Sequence, residues 1–177
     1  MNLLESAIIR LRAPEPEDLE LLYKWENDTS LWLAGNTRAP YSRFQLKQYI
    51  AGTSFDIYET KQLRLMIVDK TTTETVGTVD LFDFEMHHSR VALGLFVASE
   101  FQGKGYARES LQLVEEYVFN FLKINQLYVQ IAESNMASRK LFENKYELHG
   151  MLKHWVKTPE GFENILTYQK FRTYKKC

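Results

Sequence analysis

The segment Gln102-Gly103-Lys104-Gly105-Tyr106-Ala107 carries the sharpest chemical signal in the chain. Two glycines one residue apart permit a tight turn, and Lys104 and Arg108 bring full positive charges to it. Beyond the turn, apolar residues recur at Ala107, Leu111, Val114, Val118 and Phe121, the spacing of one helix face. A glycine-rich turn at a helix start exposes N–H groups that have no partner inside the helix, and the helix dipole adds partial positive charge there. Such a turn suits a phosphate or a pyrophosphate.

The elements that position this turn are legible on both sides of it. Val91 to Val97 has the composition of a strand, so the order is strand, glycine turn, helix. Upstream, Ile8 to Arg12 reads as a first strand, and Pro14 and Pro16 end it and admit a helix running to Trp25. Thr29 to Tyr41, with Gly35 and Pro40, is irregular, and Ser42 caps a second helix to about Ala51. Leu63 to Val68 and Thr75 to Phe82 are strands joined by a polar turn. The helix after the glycine turn ends near Leu122. Leu127 to Ile131 is a strand, Ser138 to Glu143 a shorter helix, and Leu152 to Lys157 with Ile165 to Phe171 a closing hairpin around Pro159-Glu160-Gly161. With no repeat, linker or low-complexity segment, residues 1–177 are expected to form one α/β (α+β) domain: a mixed, mostly antiparallel sheet with helices on both faces.

Composition narrows the function classes. The chain has 177 residues, 45% hydrophobic and 25% charged, with a formal net charge of −1. That balance argues against a nucleic-acid-binding surface. No run of about 18 or more apolar residues marks a membrane span, and the N-terminus lacks the apolar stretch of a secretory signal. The only cysteine is Cys177, so no internal disulfide can form, and a reducing cytoplasm is the expected location. His87 and His88 are adjacent and read as an exposed turn, and no metal site is expected.

Among glycine-rich phosphate sites, the three-glycine dinucleotide pattern is absent, as is an acidic residue ending the next strand. The Walker pattern is absent too, because Lys104 lies between the glycines and no Gly-Lys-Ser/Thr exists. What remains, Gln102-x-x-Gly105-x-Ala107, resembles the pyrophosphate loop of the GNAT superfamily of acyl-CoA-dependent N-acyltransferases. A turn of this kind also serves simply to start a helix, so the second signal matters. Asn135-Met136-Ala137-Ser138-Arg139-Lys140-Leu141-Phe142-Glu143, alone an Asn or Ser cap before a helix, resembles the family's next motif and stands at the family's separation. Ile9 to Arg12 and Thr75 to Val79 look like the family's first strand and an inner strand. Within the family the resemblance is to polyamine acetyltransferases and to enzymes that acetylate ribosomal-protein N-termini.

The resemblance implies transfer of an acetyl group from acetyl-CoA to a primary amine, of a small molecule or a peptide, by direct attack in a ternary complex. It implies a cofactor grip from Gln102, Gly103, Lys104, Gly105, Tyr106, Ala107 and Arg108. A splayed strand at Leu95, Phe96 and Val97 would meet the pantetheine arm and polarise the carbonyl, Asn135 would bind the pantetheine, and Ser138 to Lys140 would approach the nucleotide. Many relatives carry a tyrosine acid where this chain has Phe142, which has no ionisable proton. Tyr146 and Tyr168 are the substitutes, and Tyr168 is taken as the candidate acid. For the base, Asp80, Asp83, Glu85, His87 and His88 compete. Alternation puts Asp80 with Phe82 on one face and Leu81 with Asp83 on the other, and Asp80, an acid in an apolar strand, is the candidate. Trp25, Glu26, Asp28 and Trp32, with Arg38 nearby, would form an acceptor pocket in which acids beside aromatics suit a cationic amine. Alternative readings are a non-catalytic CoA-binding sensor and a plain structural domain, and a homo-oligomer is compatible with all of them.

Overall fold

The computed structural model describes residues 3–32, 37–52 and 56–173; Gly35 and Cys177, singled out above, lie outside them. The described chain runs β1 (Ile9–Arg12), a 3-10 turn (Pro16–Asp18), α1 (Leu19–Glu26), α2 (Arg43–Gly52), α3 (Ile57–Thr60), β2 (Leu63–Asp69), β3 (Thr75–Glu85), β4 (Arg90–Val97), α4 (Tyr106–Glu116), β5 (Gln126–Ala132), α5 (Met136–Phe142), β6 (Glu147–Thr158) and β7 (Gly161–Phe171). Seven strands form one sheet in the order β1-β2-β3-β4-β5-β7-β6. Every neighbouring pair is antiparallel except β4 and β5, which are parallel. The mixed, mostly antiparallel sheet expected from sequence is the sheet observed.

Strand alternation divides the apolar side chains between two layers. Leu65, Ile67, Val79, Leu81, Leu93, Val129, Ile131 and Leu166 face one side and pack against Leu111 and Val114 of α4 and Phe142 of α5. Met66 faces the other side, with Leu22 and Trp25 of α1, Leu46 and Ile50 of α2, and Phe96. Helices thus cover both faces. The first strand is fixed by charge as well. Arg12 holds the buried Asp18 through Nη1–Oδ2 at 2.6 Å and Nη2–Oδ1 at 2.9 Å, and also donates to Thr75 at 3.1 Å.

Three local departures from simple periodicity have physical causes. Asp83 has φ +48 and the β3–β4 register shifts between Phe82 and Glu85, so a bulge interrupts the alternation. Asp83 is exposed and does not share the face of Leu81; Phe84 turns to the core instead, at 3% exposure. After α4, Tyr117–Phe121 forms a π-helical turn. The wider turn rotates Phe121 into solvent, where it stacks on Tyr117 at 5.5 Å, and brings Phe119 inward. The closing hairpin is longer than expected because β6 is the sheet edge. Its exposed positions dilute the hydrophobic pattern that would mark its ends.

Candidate active site

The parallel pair β4–β5 opens into a wedge. The two strands pair only over Arg90↔Gln126, Val91↔Leu127 and Ala92↔Tyr128. Beyond these, β4 stays paired with β3 as far as Val97↔Gly77, and β5 stays with β7 as far as Ala132↔Ile165. Leu95, Phe96 and Val97 therefore line one flank, and Val129 to Ala132 the other. Backbone edges parted in this way can take an extended chain between them. Gly77 keeps the β4 flank in place: a Cβ there would lie 2.1 Å from the carbonyl oxygen of Phe96. Because β4 and β5 are parallel, both helices that follow them start at the mouth of the wedge, the crevice at the carboxyl ends of strands where ligands bind in such sheets.

The glycine turn sits at that mouth. Gly103 and Gly105 have φ of +77 and +88, and nothing lies within 4 Å of a Cβ built on either. Gly105 caps α4, and the Glu109 N–H donates to the Gly105 carbonyl, so the N–H groups of Tyr106, Ala107 and Arg108 precede the first helical bond. Gln102 to Gly105 and Arg108 are exposed, with Lys104 Nζ 5.2 Å from the Phe101 ring centre. Open space over left-handed glycines, three N–H groups and two cations fit a pyrophosphate. Two side chains here brace the turn. Gln102 donates from Nε2 to the Val97 carbonyl at 3.0 Å. The Tyr106 hydroxyl donates to Asp69 Oδ2 at 2.5 Å, and Asp69 also accepts from the Thr71 and Thr72 N–H groups. Across the mouth, Asn135 Oδ1 accepts from the Ser138 N–H at 3.1 Å, capping α5, and Lys140 is exposed.

On the α1–α2 face, Asp80 lies directly across from Gly94 of β4, just past the point where β4 leaves β5. Its other neighbour is Arg64, its register partner on β2. Arg64 Nε donates to Asp80 Oδ1 at 2.5 Å, Arg64 Nη1 donates to Glu26 Oε1, and the guanidinium lies over the Tyr49 ring at 5.5 Å. Burial pushes the Asp80 carboxyl above the usual carboxylate range; Arg64 opposes this and Glu26 adds to it. Trp25 meets Phe96 edge-on at 5.1 Å, and Trp32 donates from Nε1 to the Glu26 carbonyl at 2.9 Å. Trp25, Glu26, Trp32 and Asp80 are thus brought into one neighbourhood. Asp28 is exposed and accepts from the Ser30 N–H and hydroxyl within its own turn, and Arg38 is exposed. Asp83, Glu85, His87 and His88 lie at the other end of β3, where Glu85 accepts from the His87 N–H at 3.1 Å and the two imidazoles stack edge-on.

On the α4–α5 face, Tyr168 of β7 stands beside Val129, the first β5 residue past the split. It is 2% exposed, and its hydroxyl donates to Glu143 Oε1 at 3.3 Å; Glu143 in turn accepts from Arg139. Phe142 is buried and meets Tyr146 edge-on at 5.0 Å. Burial pushes the Tyr146 hydroxyl far up, and the neighbouring Glu115 carboxylate pushes it further. A proton held that tightly is a poor one to donate. Asp80 and Tyr168 border the same wedge from opposite faces of the sheet.

A wedge of two parallel strands leading to an anion-binding helix start, with carboxylates and aromatics on one side, defines an acyl-CoA-dependent acyltransferase. The family described as the acetyltransferase (GNAT) domain matches residues 9–144, and the chain belongs to that family of acetyl-CoA-dependent N-acetyltransferases. It is 26% identical over 139 residues to the spermidine N(1)-acetyltransferase of Vibrio cholerae, covering 76% of each chain. The fold matches a crystal structure of spermidine N-acetyltransferase from Vibrio cholerae in complex with CoA and spermine, with a TM-score of 0.83, 21% identity, and 94% and 97% of the two chains covered. A putative ribosomal-protein-serine acetyltransferase from Vibrio cholerae shares it too, with a TM-score of 0.73, 15% identity, and 95% and 96% covered.

Arg64 is the residue that reading the sequence missed. Its signal was a cation inside an otherwise apolar strand, two residues into β2 and in register with the acid of β3.

Proposed function

We propose that this enzyme acetylates one amine of a diamine or polyamine, with Asp80 as base and Tyr168 as acid. The observation that carries the reading is the Asp80–Arg64–Glu26 group beside the wedge: two carboxylates against one guanidinium leave one excess negative charge next to Trp25 and Phe96. An alkyl amine has a pKa of about 10.4, so at neutral pH only about one molecule in 10³ is nucleophilic. A carboxylate with a raised pKa is suited to take that proton, directly or through one water. The neutral amine then attacks the thioester carbonyl. The C–N bond forms, the C–S bond breaks, the thiolate takes a proton from the Tyr168 hydroxyl, the second proton leaves the nitrogen as the amide forms and restores Tyr168 through solvent, and Asp80 releases its proton to solvent. A backbone N–H of the Leu95–Val97 flank supports the charge that develops on the carbonyl oxygen. The excess negative charge holds a second, still protonated amine of the acceptor.

Free-thiol release from acetyl-CoA, measured with a panel of monoamines, diamines, triamines and short peptides, tests this. The expected result is turnover highest with acceptors carrying a second amine. Turnover confined to peptide N-termini, or acetyl-CoA binding without turnover on any amine, overturns it.

A further inference from the structure

The acceptor reading above uses Arg64 only as one charge in a sum, although it reaches both carboxylates of the proposed acceptor side. It lies on β2 and reaches two carboxylates on different elements, Glu26 of α1 and Asp80 of β3, while its guanidinium covers Tyr49 of α2. Its side chain is 19% exposed, Glu26 21% and Asp80 27%, so each of the three bonded groups keeps some access to solvent. Arg64 also lines a small cavity of about 190 Å³ together with Gln48, Tyr49, Gln62 and Leu63.

Resting on that acceptor reading, we infer that Arg64 is the specificity-determining cation of the site: it bridges Asp80 and Glu26 and cancels one of their two charges, so that the site selects an acceptor with one positive charge beside its reacting amine. The planar fork suits this task, because Nε and Nη1 address the two acids at once and a lysine ammonium cannot reproduce that spacing. The bridge also ties α1 to the middle of the sheet, holding the Asp80 oxygens beside Gly94 at the edge of the wedge.

The bridge has a second consequence. The charged and titratable groups around Asp80 are Arg64 from β2, Glu26 from α1 and Tyr49 from α2. Of these only Arg64 favours the ionised carboxylate. Without it, only the long Thr78 hydroxyl hydrogen bond to Asp80 Oδ2, at 3.4 Å, still opposes burial and Glu26, and Asp80 needs a higher pH to lose its proton.

The test compares wild type, Arg64→Gln and Arg64→Lys with a diamine and a triamine at saturating acetyl-CoA, across pH. At a pH above the acid limb of its rate profile, where Asp80 is ionised, Arg64→Gln adds one unit of net negative charge at roughly 6 Å from an acceptor cation in a half-solvated site, so the KM for the triamine should fall about tenfold relative to that for the diamine. The acid limb of its rate profile should move to higher pH. Arg64→Lys should keep the wild-type charge preference to within about twofold while kcat falls, because the charge remains and the bridge does not. An unmoved triamine-to-diamine ratio with an unmoved acid limb in folded Arg64→Gln overturns the inference alone. Should Arg64→Gln not fold, Arg64→Lys decides, and a wild-type kcat there overturns it. A wild type that acetylates no amine overturns the acceptor reading and this inference together.

Discussion

Replacing Gly105 separates the shape of the glycine turn from its charge. Gly105 caps α4 at φ +88, a conformation that costs a residue with a Cβ about 1–2 kcal/mol. Gly105→Ala and Gly105→Glu share that cost, and the space around a Cβ is open, so neither adds a clash. In the free protein the glutamate even recovers about 0.3–1 kcal/mol, since a negative charge at a helix start is favourable. For a chain of this size each 1 kcal/mol shifts Tm by about 2–4 °C, so both variants should melt only a few degrees below wild type. Binding divides them. A carboxylate about 5 Å from a pyrophosphate charge, at an effective dielectric of about 20, is repelled by about 3 kcal/mol, or a little over a hundredfold in Kd. Calorimetry with acetyl-CoA at low salt should give Gly105→Glu a Kd about 10²-fold weaker than that of Gly105→Ala. Equal affinities for the two variants at matched Tm would refute a pyrophosphate at this turn.

Other consequences follow from the charges and hydroxyls around the wedge. Asp80→Asn should lower kcat by about 10²-fold or more while leaving acetyl-CoA affinity unchanged; because burial raises the Asp80 pKa, the wild-type rate should fall on acidification at a pH above the usual carboxylate range, and the variant should lack that limb. Tyr168→Phe loses the hydrogen bond to Glu143, which costs about 1 kcal/mol of stability, and as loss of the acid should lower kcat by about 10²-fold, read by chemical denaturation and by steady-state kinetics. Asp18→Asn strands a partly buried Arg12 and should cost about 2–3 kcal/mol at neutral pH. Burial opposes the Asp18 charge, but the Arg12 hydrogen bonds, the Glu15 N–H, the Arg12 charge and the Thr75 hydroxyl together outweigh it and hold the pKa below its ordinary value. The gap between wild type and Asp18→Asn should therefore be full above about pH 4, and should close as pH falls through the lowered folded pKa, which urea unfolding at several pH values would measure.

The parts of this molecule that were legible in the sequence are those governed by short-range pattern. The alternation of β2 to β5 and the glycine turn before α4 are local, and they gave the strand order around the wedge its main elements. What stayed hidden depends on a single residue changing the period. Asp83 adds one residue to β3 and sends Phe84 inward, and the π turn at Tyr117–Phe121 exposes a phenylalanine counted among the apolar face. Neither insertion has a compositional marker. Arg64 was hidden for another reason. Its meaning lies in the cross-strand register with Asp80 and in the approach of Glu26 from a helix 38 residues earlier, and both are tertiary facts. The two tyrosines show the same limit: Tyr146 and Tyr168 look alike in sequence, yet one hydroxyl lies beside the Glu115 carboxylate and the other donates to Glu143 beside the split in the sheet.

The most direct test is a crystal structure with CoA and a non-reacting diamine analogue bound together. The pantetheine should run as an extended chain between Leu95–Val97 and Val129–Ala132, with the pyrophosphate on the N–H groups of Tyr106 to Arg108 and the acceptor nitrogen nearest Asp80. CoA bound away from the wedge, or an acceptor nitrogen on the α4–α5 face remote from Asp80, would contradict the account.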